Sequence, residues 1–117
     1  MYALFVVLNQ TDYLEDILEG FVAAGVKGAT ILDSQGMASA IVHSGGQRVP
    51  LFGSLKTLLD GARPFNKTIF TVLEDEAMVE KAVAAVQDAL QGLAAEGLGL
   101  MFTVPVASLY PMVRDRR

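Results

Sequence analysis

Few side chains in this 117-residue chain are of the types that do chemistry, and their spacing sets no catalytic group together. His43 is the only histidine, and there is no cysteine. A thiolate nucleophile and a cysteine metal site are therefore excluded, and one histidine is a poor start for a soft-metal set. Ser39, Ser44 and Ser54 have no base at a recognisable spacing, so nothing would raise a hydroxyl to a nucleophile. Asp33 reads either as a carboxylate at a strand end or as a turn-former beside Ser34. Arg48, Lys56 and Arg63 either hold an anion or solvate a polar stretch. Gly97-Leu98-Gly99 can aim backbone amides at phosphate oxygens, although turns also use glycine for their own geometry. These residues predict no enzyme, no metal centre and no redox cofactor.

The composition bounds the partners. The chain is 52% hydrophobic and 19% charged, enough for a true core and a surplus that fits a buried interface. A net charge of −4 argues against a nucleic-acid partner, which needs a basic field. Absence of cysteine fits a reducing compartment, and a cytoplasmic protein is expected. Met1 to Leu8 is apolar but lacks a charged leader and is too short to cross a bilayer. It reads as a core strand, with no direct membrane insertion.

The elements follow from periodicity. Ala3 to Leu8 is a continuous apolar run, the signature of a central strand buried on both faces. Asp12 and Glu15 have capping-box spacing, and Leu14, Ile17, Leu18, Phe21 and Val22 mark one face of a helix. Gly25 is placed to stop that helix, and 28–33 follows as a second, buried strand with Gly36 releasing the chain. Residues 37–65 form a long polar, proline-punctuated loop, with a short helix expected after Ser54. Loops of this length are commonly recognition elements. Lys67 to Leu73 is a third strand. Glu74, Asp75 and Glu76 lead a second helix carrying Val79, Ala82, Val83, Val86, Leu90 and Leu93 on one face. Ala82, Ala85 and Ala89 would let it sit close to the sheet. Leu100 to Val104 is the last strand, closed by Pro105.

The order βαββαβ over a single domain, residues 1–117, predicts a ferredoxin-like α+β fold. Its four-stranded antiparallel sheet carries both helices on one face. The other face would expose the apolar alternates of every strand, so an oligomer that packs these faces together is expected.

Gly25-Val26-Lys27-Gly28-Ala29-Thr30-Ile31, with Gly36-Met37-Ala38 beyond it, resembles the second strand of the PII nitrogen-regulatory signalling family. Asp75-Glu76-Ala77-Met78-Val79-Glu80-Lys81 is similar to that family's Asp-Glu-Met-Val-Glu-Lys run with one residue added. Phe102, Pro105 and Val106 resemble its last strand. The resemblance spans nearly the whole chain apart from the long loop and the tail. It implies a homotrimer that binds an adenine nucleotide (ATP, ADP or AMP) in clefts between subunits. It also implies a long loop that contacts a regulated enzyme or membrane transporter, in nitrogen or carbon metabolism. Carried over by position, Thr30, Gly36, Met37, Gly97 and Gly99 would line the effector cleft. Contact with the partner is expected from His43, Arg48, Leu51 and Phe52 of the long loop. The departures are specific. Leu93-Ala94-Ala95-Glu96-Gly97-Leu98-Gly99-Leu100 lacks the threonine and lysine of the family's phosphate turn, and Glu96 would repel a triphosphate. Ala40 stands where the family has the glutamine of its 2-oxoglutarate–magnesium site.

The expected function is thus a non-enzymatic regulator that senses a small effector and reports through the 37–65 loop. Two alternatives stand beside it. One is a trimeric metal-tolerance or structural module of the copper-tolerance CutA kind, which shares the fold class. The other is a small ferredoxin-like monooxygenase, which would need an acid–base pair or cofactor that the residues do not supply.

Overall fold

A computed structural model of the chain describes residues 1–37 and 65–114. Four strands, β1 (Tyr2–Leu8), β2 (Thr30–Ser34), β3 (Asn66–Leu73) and β4 (Gly99–Pro105), form one antiparallel sheet in the order β2-β3-β1-β4. Helices α1 (Leu14–Ala24) and α2 (Glu76–Ala89) connect β1 to β2 and β3 to β4. This is the ferredoxin-like α+β fold with the β1–α1–β2 and β3–α2–β4 halves that the periodicity predicts.

The core lies between the helices and one face of the sheet. Leu4, Val6 and Leu8 of β1 and Ile69 and Leu73 of β3 are buried there with Ile17 and Phe21 of α1 and Ala82 and Val86 of α2. Alternation sends Phe5 and Val7 to the opposite face, where both stay half exposed. The central strand is therefore buried fully on one face only, not on both as its unbroken apolar run predicts.

Helix α1 ends as its sequence predicts. Gly25 is left-handed at φ 94°, its amide donates to the Val22 carbonyl at 3.1 Å, and Val26 N donates to Phe21 O at 2.9 Å. Val26 and Phe21 are both in the core, which completes the hydrophobic contact of a Schellman stop. The start of α1 differs from expectation. Thr11–Tyr13 is a single 3₁₀ turn, Tyr13 occupies the cap position, and no side chain caps it, so Asp12 and Glu15 make no capping box. Val22 is 75% exposed: Ile17 and Phe21 are buried and Leu14 and Leu18 pack against the core, whereas Val22 lies on the flank turned outward.

The helices touch through small residues. A Cβ on Gly20 of α1 would lie 3.1 Å from Ala85 Cβ of α2. Ala82 meets the core as expected, whereas Ala85 sits at the helix–helix contact rather than on the sheet. Strand β2 begins two residues later than predicted and is an exposed edge, not a buried strand. Among the described residues it pairs with β3 alone, at one end of the strand order.

Candidate functional site

Two features of the sheet stand outside the core. The first is its open face. Register places Thr30 opposite Phe70 and Phe70 opposite Phe5, and pairs Phe5 in turn with Phe102. The rings stack in a row: Phe5 to Phe70 at 5.7 Å between centroids and Phe5 to Phe102 at 5.1 Å. Neighbouring rows add Leu32, Val7 and Leu100 on one side and Val72, Ala3 and Val104 on the other. Leu100 is 58% and Phe102 43% exposed. Four strands about 4.8 Å apart and about seven residues at about 3.3 Å rise give the sheet face a footprint on the order of 400 Å², mostly apolar with Thr30 and Thr68 among its rows. Patches of about this size are commonly interaction surfaces.

The second feature crosses one end of the sheet, where β1 and β2 finish and β3 and β4 begin. Ser34 Oγ, on the last residue of β2, donates to Asn66 Oδ1 and lies 2.8 Å from Thr68 Oγ1. Asn66, the buried first residue of β3, donates through Nδ2 to Asn9 Oδ1 at 3.3 Å. Asn9, just past β1, donates through Nδ2 to Gly97 O at 3.2 Å and through its backbone amide to Leu98 O at 2.9 Å. One line of hydrogen bonds thus runs over all four strands, from the end of β2 to the glycine turn before β4. Composition gave no sign of it beyond two asparagines bounding apolar runs.

The residues expected at an effector cleft divide between the sheet's two edges. Gly36 follows β2, where a Cβ would come 3.9 Å from the Asn66 amide nitrogen, and Met37 beside it is exposed. Gly97 and Gly99 lie at the start of β4, on the opposite edge strand. The two pairs share one end of the sheet but are separated by three strand spacings, about 14 Å. Thr30 sits farther back on β2, roughly four residues or 13 Å from the end, in the aromatic row. One chain therefore does not gather these five residues into one pocket. His43, Arg48, Leu51 and Phe52 lie outside the described residues.

The two glycines have different physical reasons. Gly97 has φ 78° and open space where a side chain would go. Gly99 has φ 129°, and a Cβ there would fall 1.8 Å from the Val7 carbonyl oxygen, so β4 can meet β1 only with glycine at this point. Beside this turn, between β4 and the end of α2, lies a cleft of about 300 Å³ walled by Leu90, Leu93, Leu98 and Met101, with Gln87 as the polar side chain in its lining.

The charged groups have plain roles. Asp33 pairs with Lys67 directly across from it on β3, so its carboxylate is occupied by a cross-strand ion pair. At the far end of the sheet the Tyr2 hydroxyl donates to Glu76 at 3.1 Å. That hydrogen bond and the negative charge beside it hold the Tyr2 phenol above its ordinary value of 10.0. Among the described residues no three His, Cys, Asp or Glu side chains come together as a metal site, and no helix is long and apolar enough to cross a membrane.

No protein-family model matches the chain, and no curated protein matches it. What the structure defines is a class by fold: a ferredoxin-like α+β domain with an open aromatic sheet face and a polar line across one sheet end.

Proposed function

We propose that the protein is a non-enzymatic regulator that works as a symmetric homo-oligomer, a trimer, and senses an adenine nucleotide between its subunits. The observation that carries this reading is the open face built on Phe70, Phe5 and Phe102. Closing copies of this face into a ring buries it on every subunit. A ring also sets the β2 edge of one copy beside the β4 edge of the next. Gly36 and Met37 from one subunit then meet Gly97 from its neighbour, and a cleft forms that no single chain contains.

In that cleft the glycine turn meets phosphate through backbone amides alone, because the threonine and lysine of the PII turn are replaced by Leu93 and Leu100. Glu96 beside the turn disfavours a third phosphate, so ADP or AMP is the preferred effector over ATP. The output is regulation of an enzyme or transporter through the segment between β2 and β3, in the cytoplasm. The resemblance of the Gly25–Ile31 and Asp75–Lys81 stretches to the PII signalling family supports this assignment.

The test joins mass to ligand response on the purified protein. Sedimentation should give three times the 12.5 kDa chain mass. A nucleotide at a hundred times its dissociation constant should stabilise the fold by about 2.7 kcal/mol, a clear shift in melting temperature. A monomer at every concentration, or no shift with ATP, ADP or AMP with and without magnesium, overturns the corresponding half of the reading.

A further inference from the structure

Resting on the reading of the glycine turn as the effector contact, we propose that Asn9 and Asn66 are positioning residues that couple this turn to the other edge of the sheet. Four observations carry the proposal. Asn9 holds the turn twice, through Nδ2 to Gly97 O and through its amide to Leu98 O. Asn66 is buried, and both ends of its carboxamide are used: Oδ1 accepts from Ser34 and Nδ2 donates to Asn9. Ser34 ends β2 and Asn66 begins β3, so these two residues root the chain on both sides of the segment that joins those strands. Finally, Gly36 lies near enough that a Cβ there would come 3.9 Å from the Asn66 amide nitrogen.

The arrangement has a mechanical consequence. An asparagine carboxamide is planar, with a donor at one corner and an acceptor at the other. A tilt that follows the Gly97 carbonyl at Asn9 Nδ2 also moves Asn9 Oδ1, and with it the donor of Asn66. The same rotation at Asn66 moves the acceptor that Ser34 uses. A ligand that re-aims the Gly97 peptide therefore biases the roots of β3 and β2, two and three strand spacings or about 10 and 14 Å away, through two rigid amides rather than through the sheet ladder.

A double-mutant cycle read by amide hydrogen exchange tests this on the full chain. The variants are Asn66→Ala, Asn9→Ala and both together, with the amides of Gly97 to Gly99 as reporters. The Asn66 side chain bonds to Ser34 and Asn9 rather than to these reporters, yet its replacement should speed their exchange roughly two- to tenfold, the range that one neutral hydrogen bond supports. In the Asn9→Ala background the same replacement should change them no further. Amides inside α1 and α2 should be unmoved in all three, which separates coupling from general loosening. Ser34→Ala is the gentler variant should Asn66→Ala fold poorly, and it should move the Gly97 amide resonance in an NMR spectrum. Unchanged exchange at 97–99 in Asn66→Ala, or effects of the two substitutions that simply add, overturns the proposal. The exchange cycle needs no ligand, so it stands or falls independently of the nucleotide response measured for the function.

Discussion

Gly99 and Gly97 look alike in sequence and differ in what their positions demand. At Gly99 a side chain meets both a positive φ and the Val7 carbonyl oxygen, which is backbone and cannot rotate away. Gly99→Ala should therefore cost about 3 kcal/mol, since β4 must pull back from β1 at its first pair. At Gly97 only the left-handed φ opposes substitution, and Gly97→Ala should cost about 1–2 kcal/mol. Thermal melts of both variants at one fixed protein concentration check the order. For a domain near 100 residues each 1 kcal/mol moves the midpoint by about 4–8 °C, so the two should separate clearly. Tyr2 offers a second test at this scale. Its phenol is raised by the hydrogen bond to Glu76, so the protonated form is favoured in the fold. The associated stability is complete below pH 10 and is lost as pH climbs through the raised folded value, because the unfolded chain ionises first. Absorbance at 295 nm during alkaline titration should show Tyr2 ionising late, and Glu76→Gln should bring it back towards the ordinary range.

At the level of elements, the two helices differ in how their starts are held. Asp75 is extended at φ −149°, and its carboxylate accepts the Met78 amide at 2.9 Å, closing the first turn of α2. Asp75→Ala should destabilise by about 1 kcal/mol, while Asp75→Asn should be nearly neutral, as chemical denaturation followed by circular dichroism would report. Helix α1 has no such cap, so Asp12→Ala should leave its stability within about 0.5 kcal/mol of the parent. The contrast also marks what local sequence could reveal. Helical spacing, the acidic lead into α2 and the Gly25 stop are local signals and both helices exist, but α2 ends at Ala89 with Leu90 as its cap, so Leu93, which continues the helical spacing, lies in the turn beyond it. The capping box does not form because a 3₁₀ turn at Thr11–Tyr13 takes Asp12, while Glu15 lies inside the first turn of α1. Strand β2 reads as buried from sequence because β-branched and apolar residues suit an edge as well as a centre, and only the sheet order separates the two. The Ser34–Asn66–Asn9–Gly97 line was illegible for a similar reason. Its members are close only after four strands pair, and no spacing along the chain encodes that.

On the scale of the whole molecule, the decisive asymmetry is between the two faces of one sheet. Helices cover Leu4, Val6 and Ile69, and nothing among the described residues covers Phe102, Leu100 or Leu32. A substitution that tests assembly must not damage the fold that presents the face. Phe5, Phe70 and Phe102 stack on one another and so support the sheet itself. Leu32 on β2 and Leu100 on β4 lie on the same face in the adjacent row, at the two edges, and have much of their surface exposed in the single chain. Leu100→Asp should leave the far-UV spectrum and the monomer fold intact, because the carboxylate faces water there. In an assembled ring the same carboxylate would be desolvated against apolar neighbours without a partner, at a cost of several kcal/mol per contact. Association should then weaken by about a thousandfold or more, since each 1.4 kcal/mol is worth a factor of about ten. Sedimentation velocity on parent, Leu32→Asp and Leu100→Asp would read this as a shift to monomer in both variants. A surface control on the solvent side of α1, such as Val22→Asp, should keep the parent's mass. If all four proteins sediment alike, the sheet face is not where copies meet, and the division of Gly36 and Gly97 between opposite edges would no longer point to a shared cleft.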